Sequence, residues 1–234
     1  MKSFASISPL KLLEQSPGQK SLGDGNIGVL IARAGVGKTA CLIHMALHKL
    51  FEGEPMVHVS VGDTPEKISA YYHVIFSDLA KAIEEYDIED CLLKMDRGKV
   101  VLSYMDDNFD LARLGRNLKN LKESLFFYPK FVIIDGINFA SARRELFVGI
   151  KKLAEQFNVE MWLSALTHRH MATEVNKNGI PYPCDKVDDL FNIIMYMNPD
   201  KDGLFLSLLK DHGGYISKDI KVKLDPTTFL LAQE

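Results

Sequence analysis

Three cysteines in 234 residues, Cys41, Cys91 and Cys184, are an odd number without metal-ligand spacing. That excludes a disulfide scaffold and a cysteine-built metal centre, and leaves idle thiols in a reducing compartment. No apolar run reaches the ~18 residues of a membrane-spanning helix. Residues Met1 to Ser16 carry two lysines but neither the apolar stretch nor the small-residue cleavage site of a leader. Charge of one sign is also lacking. With 28 basic and 31 acidic residues the formal net charge is −3, which argues against a surface built for non-specific binding to nucleic acid or anionic membrane. Repeats, linkers and low-complexity segments are absent. The expectation is a soluble, cytoplasmic protein of one domain covering residues 1–234, with 1–26 as a lead-in. At 47% apolar and 25% charged residues it has the makings of an ordinary globular core.

What is present is alternation. Apolar runs at Ile27–Ala32, Met56–Val61, Lys99–Tyr104, Phe131–Asp135 and Val159–Leu166 read as short strands. Between them lie helical patterns at Thr39–Phe51, Pro65–Glu85, Leu111–Leu125 and Arg143–Phe157. Thr64 is the N-cap of the second helix, with Pro65 at its first position. Short strands, apolar on both faces and alternating with helices, imply right-handed βαβ units and an α/β fold with a mostly parallel, covered sheet. After Leu166 the pattern changes. Thr167 to Asp185 is a polar loop of about 19 residues, a length that in a compact domain is usually functional or disordered. Three strands follow, Phe191–Met197, Leu204–Lys210 and Ile220–Leu231, and the intervening turns read as antiparallel hairpins.

The segment Ala32-Arg33-Ala34-Gly35-Val36-Gly37-Lys38-Thr39 carries the chemistry. It is a phosphate-binding P-loop pattern with alanine at the usual first glycine, and it has the required strand before and helix after. Gly35 and Gly37 let the backbone curl, so that the N–H groups of Gly35, Val36, Gly37, Lys38, Thr39 and Ala40 face a polyphosphate. The helix N-terminus adds its dipole. Lys38 supplies a point charge to the β- and γ-phosphates, and the Thr39 hydroxyl is a ligand for Mg²⁺. Asp135 ends a buried strand at the sheet edge where ligands bind in this architecture, placed to hold the metal's hydration shell. The implied ligands are ATP and Mg²⁺. His168-Arg169-His170 lacks the ligand set of a metal site and reads as a solvated loop. Arg113, Arg116, Lys119 and Lys122 read as a solvated basic helix face.

The order of these features resembles the RecA-like ATPases, in particular the KaiC and DnaB-helicase branch, over nearly the whole chain from Ile27. The resemblance implies a catalytic glutamate after the second strand, then the Mg²⁺ aspartate, then a polar sensor after the next strand. It also implies a late Lys-x-Arg that reaches a neighbouring subunit's nucleotide. Here Thr167-His168 falls at the sensor and Lys210-Asp-His212 at the late motif, so Lys210 is expected to act in trans. Gly62 falls at the glutamate. The nearest carboxylate is Asp63, the candidate general base. His212 in place of arginine lacks the fixed fork of a guanidinium.

These residues support a slow ATP-driven switch or assembly-dependent ATPase, working as a homo-oligomer or with a protein partner. The alternatives are a nucleic-acid motor whose loop 167–185 contacts single-stranded DNA, and an ATP-binding interaction module that does not hydrolyse. Two lysines and one arginine in that loop give little phosphate neutralisation, which disfavours the motor.

Overall fold

The computed structural model describes residues 4–15, 21–81, 87–105, 109–167, 175–217 and 220–232. The chain opens with a helical turn, α1 (Phe4–Ile7), and a 3-10 helix, Pro9–Gln15. The alternating body follows: β1 (Ile27–Arg33), α2 (Lys38–Phe51), β2 (Met56–Val61), α3 (Pro65–Ala80), α4 (Ile88–Gly98), β3 (Lys99–Tyr104), α5 (Leu111–Ser124), β4 (Phe131–Asp135), α6 (Arg144–Phe157) and β5 (Glu160–Thr167). The chain closes with β6 (Ile193–Asp200), β7 (Gly203–Asp211), β8 (Gly214–Tyr215) and β9 (Lys221–Leu224).

All nine strands belong to one sheet in the order β3-β2-β4-β5-β1-β6-β7-β8, with β9 also pairing β7. The strands from β3 to β6 are parallel, and β7, β8 and β9 are antiparallel additions. The expected mostly parallel sheet, flanked by helices and finished by antiparallel strands, is what forms. The physical cause is visible along β1, where six consecutive residues are buried because both faces are covered. One face packs against α2, α3, α4 and the N-terminal turns, the other against α5 and α6.

Local signals place most boundaries. Thr64 Oγ1 accepts from Lys67 N (3.3 Å), with Pro65 in the first turn of α3. Asp110 caps α5 by accepting from the amides of Ala112 (3.2 Å) and Arg113 (3.0 Å). Asn158 ends α6 at φ +54, the left-handed conformation that asparagine tolerates. α2 buries nine of its fourteen residues, so it lies between the sheet and the N-terminal turns.

Three expectations need correction. Helix α3 stops at Ala80 rather than Glu85, and residues 82–86 lie outside the described set. A separate helix, α4, had not been expected; Asp87 caps it through Glu89 N (3.0 Å) and Asp90 N (3.2 Å). The last strand ends at Leu224 instead of Leu231, because Asp225-Pro226 turns the chain and Asp225 draws in the next amides. The N-terminal lead-in also has a structural role, since Phe4, Leu12 and Leu13 are buried in the core.

Candidate functional site

Parallel pairing brings the ends of β1, β2, β4 and β5 to one edge of the sheet. Arg33 lies beside Thr167 and Ser60 beside Asp135. Just past β1 the chain curls through Gly35 (φ +73) and Gly37 (φ +96) into α2. Gly37 is the N-cap of α2, and no side chain caps the helix. The first-turn amides of α2 are therefore left for a ligand, as an anion-binding helix start requires.

Lys38 and Thr39 open α2 and meet Asp135 at the end of β4. The Thr39 hydroxyl donates to Asp135 Oδ2 (2.7 Å), 96 residues away in sequence. The other carboxylate oxygen accepts from the Ser164 hydroxyl on β5, and Ser164 Oγ in turn accepts from Gly136 N (3.3 Å). Burial lowers the Lys38 pKa, and the Asp135 carboxylate works against that shift. These side chains line a cleft of about 420 Å³ with Asn138 and Leu166, large enough for a small-molecule ligand. Gly136 allows the close approach. It sits at φ +99, and a Cβ there would lie 2.1 Å from the Val61 carbonyl oxygen.

The donor set fits the expected ligands. Thr39 and Asp135 offer two oxygens on one side of a cleft, the kind of set that binds Mg²⁺ through one or two protein ligands while phosphates and water complete the shell. Among the described residues no group of three or more histidines, cysteines or carboxylates is placed to hold a metal by itself.

Other expected site residues lie elsewhere. Gly62, at the glutamate position, adopts φ +103 and donates its N–H to Tyr104 O (2.8 Å). A side chain at this position would be strained. Asp63 is at the correct edge but pairs with Lys67 Nζ (2.5 Å) one turn along α3, and its carbonyl accepts from the Ser103 hydroxyl. It does not line the cleft. Thr167 is buried, paired in register with Arg33, and its hydroxyl has no partner among the described residues. His168, Arg169 and His170 fall outside the described set.

Lys210, expected to reach a neighbouring subunit, is held within its own chain. Lys210 is opposite Ile194, whose neighbours Ile193 and Met195 are aligned with Gly28 and Leu30; this is the far end of β1 from the Gly35–Thr39 loop. Its side chain is only 4% exposed in this chain, and Nζ donates to Asp188 O (2.8 Å). Asp188 Oδ2 accepts from Tyr215 Oη (2.6 Å) and Asn178 Nδ2 (3.1 Å), which completes an internal network. Burial lowers the Lys210 pKa, against the pull of Asp188 and Asp189. His212 is also turned inward, against the Asp211 carboxylate and the Leu22 carbonyl. A lysine held this way has no free ammonium to extend to a neighbour.

Ser164 is the cleft residue that the sequence reading missed. Its signal was a small hydroxyl in the apolar run Met161-Trp162-Leu163-Ser164-Ala165-Leu166, where a buried polar group needs a partner. No family model matches the chain, and no curated protein matches it. No helix among the described residues is long and apolar enough to cross a membrane.

Proposed function

We propose that the chain is a RecA-like P-loop protein that binds ATP with Mg²⁺ at this cleft and acts as a slow ATP-driven switch. One observation carries the reading: Lys38 and Thr39, at the start of an uncapped helix, meet Asp135 from the end of another parallel strand, with Thr39 Oγ1 2.7 Å from Asp135 Oδ2. The N–H groups from Gly35 to Ala40 bind the phosphate chain, and Lys38 adds a positive charge where the terminal phosphates lie. Thr39, with Asp135 directly or through the hydration shell, would hold Mg²⁺, which when bound would neutralise phosphate charge and polarise the terminal phosphoryl group. Ser164 fixes the Asp135 carboxylate so that one oxygen faces Thr39.

Turnover is slow in this reading because the groups that speed hydrolysis are missing or engaged. Gly62 brings no carboxylate, Asp63 is paired with Lys67, and Lys210 is buried at the opposite edge. Assembly with itself or with a partner is the proposed output of the switch, through contacts other than a Lys210 finger. The experiment is titration calorimetry with Mg-ATP on the parent and on Lys38→Ala. The parent is expected to bind, and the variant to lose at least ~1.5 kcal/mol of charge-assisted contact, or more than tenfold in affinity, at an unchanged melting temperature. Equal binding by the two proteins would refute the P-loop reading.

A further inference from the structure

The last described turn of the chain is built against the phosphate loop. Asp225 Oδ1 accepts from Thr227 N (2.8 Å), Thr228 N (2.8 Å) and Thr228 Oγ1 (3.2 Å), while Phe229 N donates to Asp225 O (2.8 Å). Asp225 N donates to Leu230 O (2.9 Å) and closes the turn. This geometry holds Phe229 at φ +57, which is costly for a residue with an aromatic side chain and persists only where the surroundings impose it. The turn is tied down on three sides. His44 Nε2, on α2, donates to Thr228 O (2.7 Å), Leu231 N donates to Ile7 O (2.9 Å), and Ala232 N donates to Lys223 O (2.8 Å).

The Phe229 ring is thereby pressed onto the P-loop. A Cβ built on Gly37 would lie 2.0 Å from Phe229 Cε1 and 2.3 Å from Cζ, so the ring fills the space that a side chain at Gly37 would occupy. Gly35, two residues earlier, has nothing within 4 Å of the same position. Of the two glycines that curl the loop, only Gly37 is braced. It is also the residue whose left-handed conformation directs the chain into the first turn of α2.

Glycine backbone is the softest in a chain, and a loop that is not held in its bound shape must be ordered when the ligand arrives. We infer that Phe229 is a positioning residue for the phosphate loop. Its ring holds Gly37 in the conformation that turns the Lys38 and Thr39 amides toward a polyphosphate. It therefore sets affinity for the phosphate chain itself, whatever base the ligand carries. The inference rests on the P-loop reading above and assigns a role in it to a turn 192 residues downstream of Gly37.

The test uses three probes, Mg-ATP, Mg-GTP and Mg-tripolyphosphate, titrated into the parent, Phe229→Ala, Phe229→Leu and Phe229→Tyr. Each protein is first shown to be folded at the assay temperature by its melting curve. Ordering one residue's backbone corresponds to about a tenfold change in affinity, so Phe229→Ala should weaken all three probes by about that common factor. Phe229→Leu should weaken them less, and Phe229→Tyr, which keeps the ring, should weaken them least. Should Phe229→Ala fail to fold, the Leu and Tyr variants decide. A loss confined to ATP and GTP, with tripolyphosphate unaffected, would show a ring acting on the base and overturn the inference. Unchanged binding of all three would overturn it while leaving the P-loop reading in place. A parent that binds none of the three would remove both.

Discussion

Gly136→Ala tests the junction on which Asp135 depends, and its cost can be worked from the backbone. A Cβ at Gly136 would lie 2.1 Å from Val61 O and 3.1 Å from Val61 C. Both atoms are main chain, so no side chain can swing aside; β2 and β4 must separate by more than an ångström. Left-handed backbone for alanine costs roughly 1–2 kcal/mol. Forced overpacking adds about 1–3 kcal/mol. The sum, about 2–5 kcal/mol, corresponds in a chain of this length to a melting temperature lower by about 5–15 °C. Gly35→Ala is the matched control. Gly35 also has a positive φ, +73, but open space where its Cβ would stand, so only the backbone cost applies. Thermal unfolding followed by circular dichroism should show a larger drop for Gly136→Ala than for Gly35→Ala, by the overpacking cost of about 1–3 kcal/mol. The displaced strand carries Asp135 away from Thr39, so Mg-ATP affinity should fall as well. Equal drops for the two variants, or a Gly136→Ala melting point within about 2 °C of the parent, would refute the close approach of β2 and β4.

Three further outcomes follow from the described contacts. Lys210→Met should destabilise the protein by about 1–3 kcal/mol, because Asp188 O loses its buried donor, while the folded variant keeps the parent's ATPase rate; an inactive variant whose activity returns on mixing with Lys38→Ala would establish a trans role. Asp63→Asn removes an exposed pair with Lys67 and should change stability by less than about 1 kcal/mol; an ATP turnover loss of about a hundredfold would make Asp63 the general base after all. Burial lowers the pKa of His44 and His58 to about 4, opposed at His44 by its bond to Thr228 O and at His58 by Asp135, while Lys99 adds to the shift at His58. Both rings are neutral in the fold, whereas the unfolded chain takes up protons below its ordinary histidine pKa of about 6.5. Stability is therefore present at neutral pH and is lost as pH falls from about 6.5 toward 4, by up to about 1.4 kcal/mol per pH unit for each histidine. Glu160, whose pKa burial raises, offsets part of that loss. Denaturant melts from pH 7 to 4.5 should flatten in His44→Gln and in His58→Gln; an unchanged slope in both would exclude them as the cause.

The part of this protein that its sequence determines is the part governed by local rules. Thr64 before Pro65 starts a helix, an apolar run between glycines makes a covered strand, and Gly35-Val36-Gly37-Lys38-Thr39 makes a curl at a helix start. Asp135 was legible for the same reason, since an acidic residue ending an apolar strand has one sheet edge at which to be. Helix α4 was less legible. Its cap and acidic first turn are present in the sequence, but Leu92 and Leu93 leave its apolar pattern partly exposed.

Tertiary structure decided which of the polar residues face one another. Ser164 reaches Asp135 only because β5 lies beside β4, and a serine in an apolar run does not announce its partner. Lys210 was expected to reach a neighbouring subunit's nucleotide, yet the antiparallel register of β7 against β6 carries it to the far edge and buries it. Phe229 looked like the end of a strand until the Asp225 turn laid its ring on Gly37. Local preference acts over a few residues, whereas these three pairings span 29, 22 and 192 positions of chain. Only the packed sheet, with its strand order and register, brings their ends together.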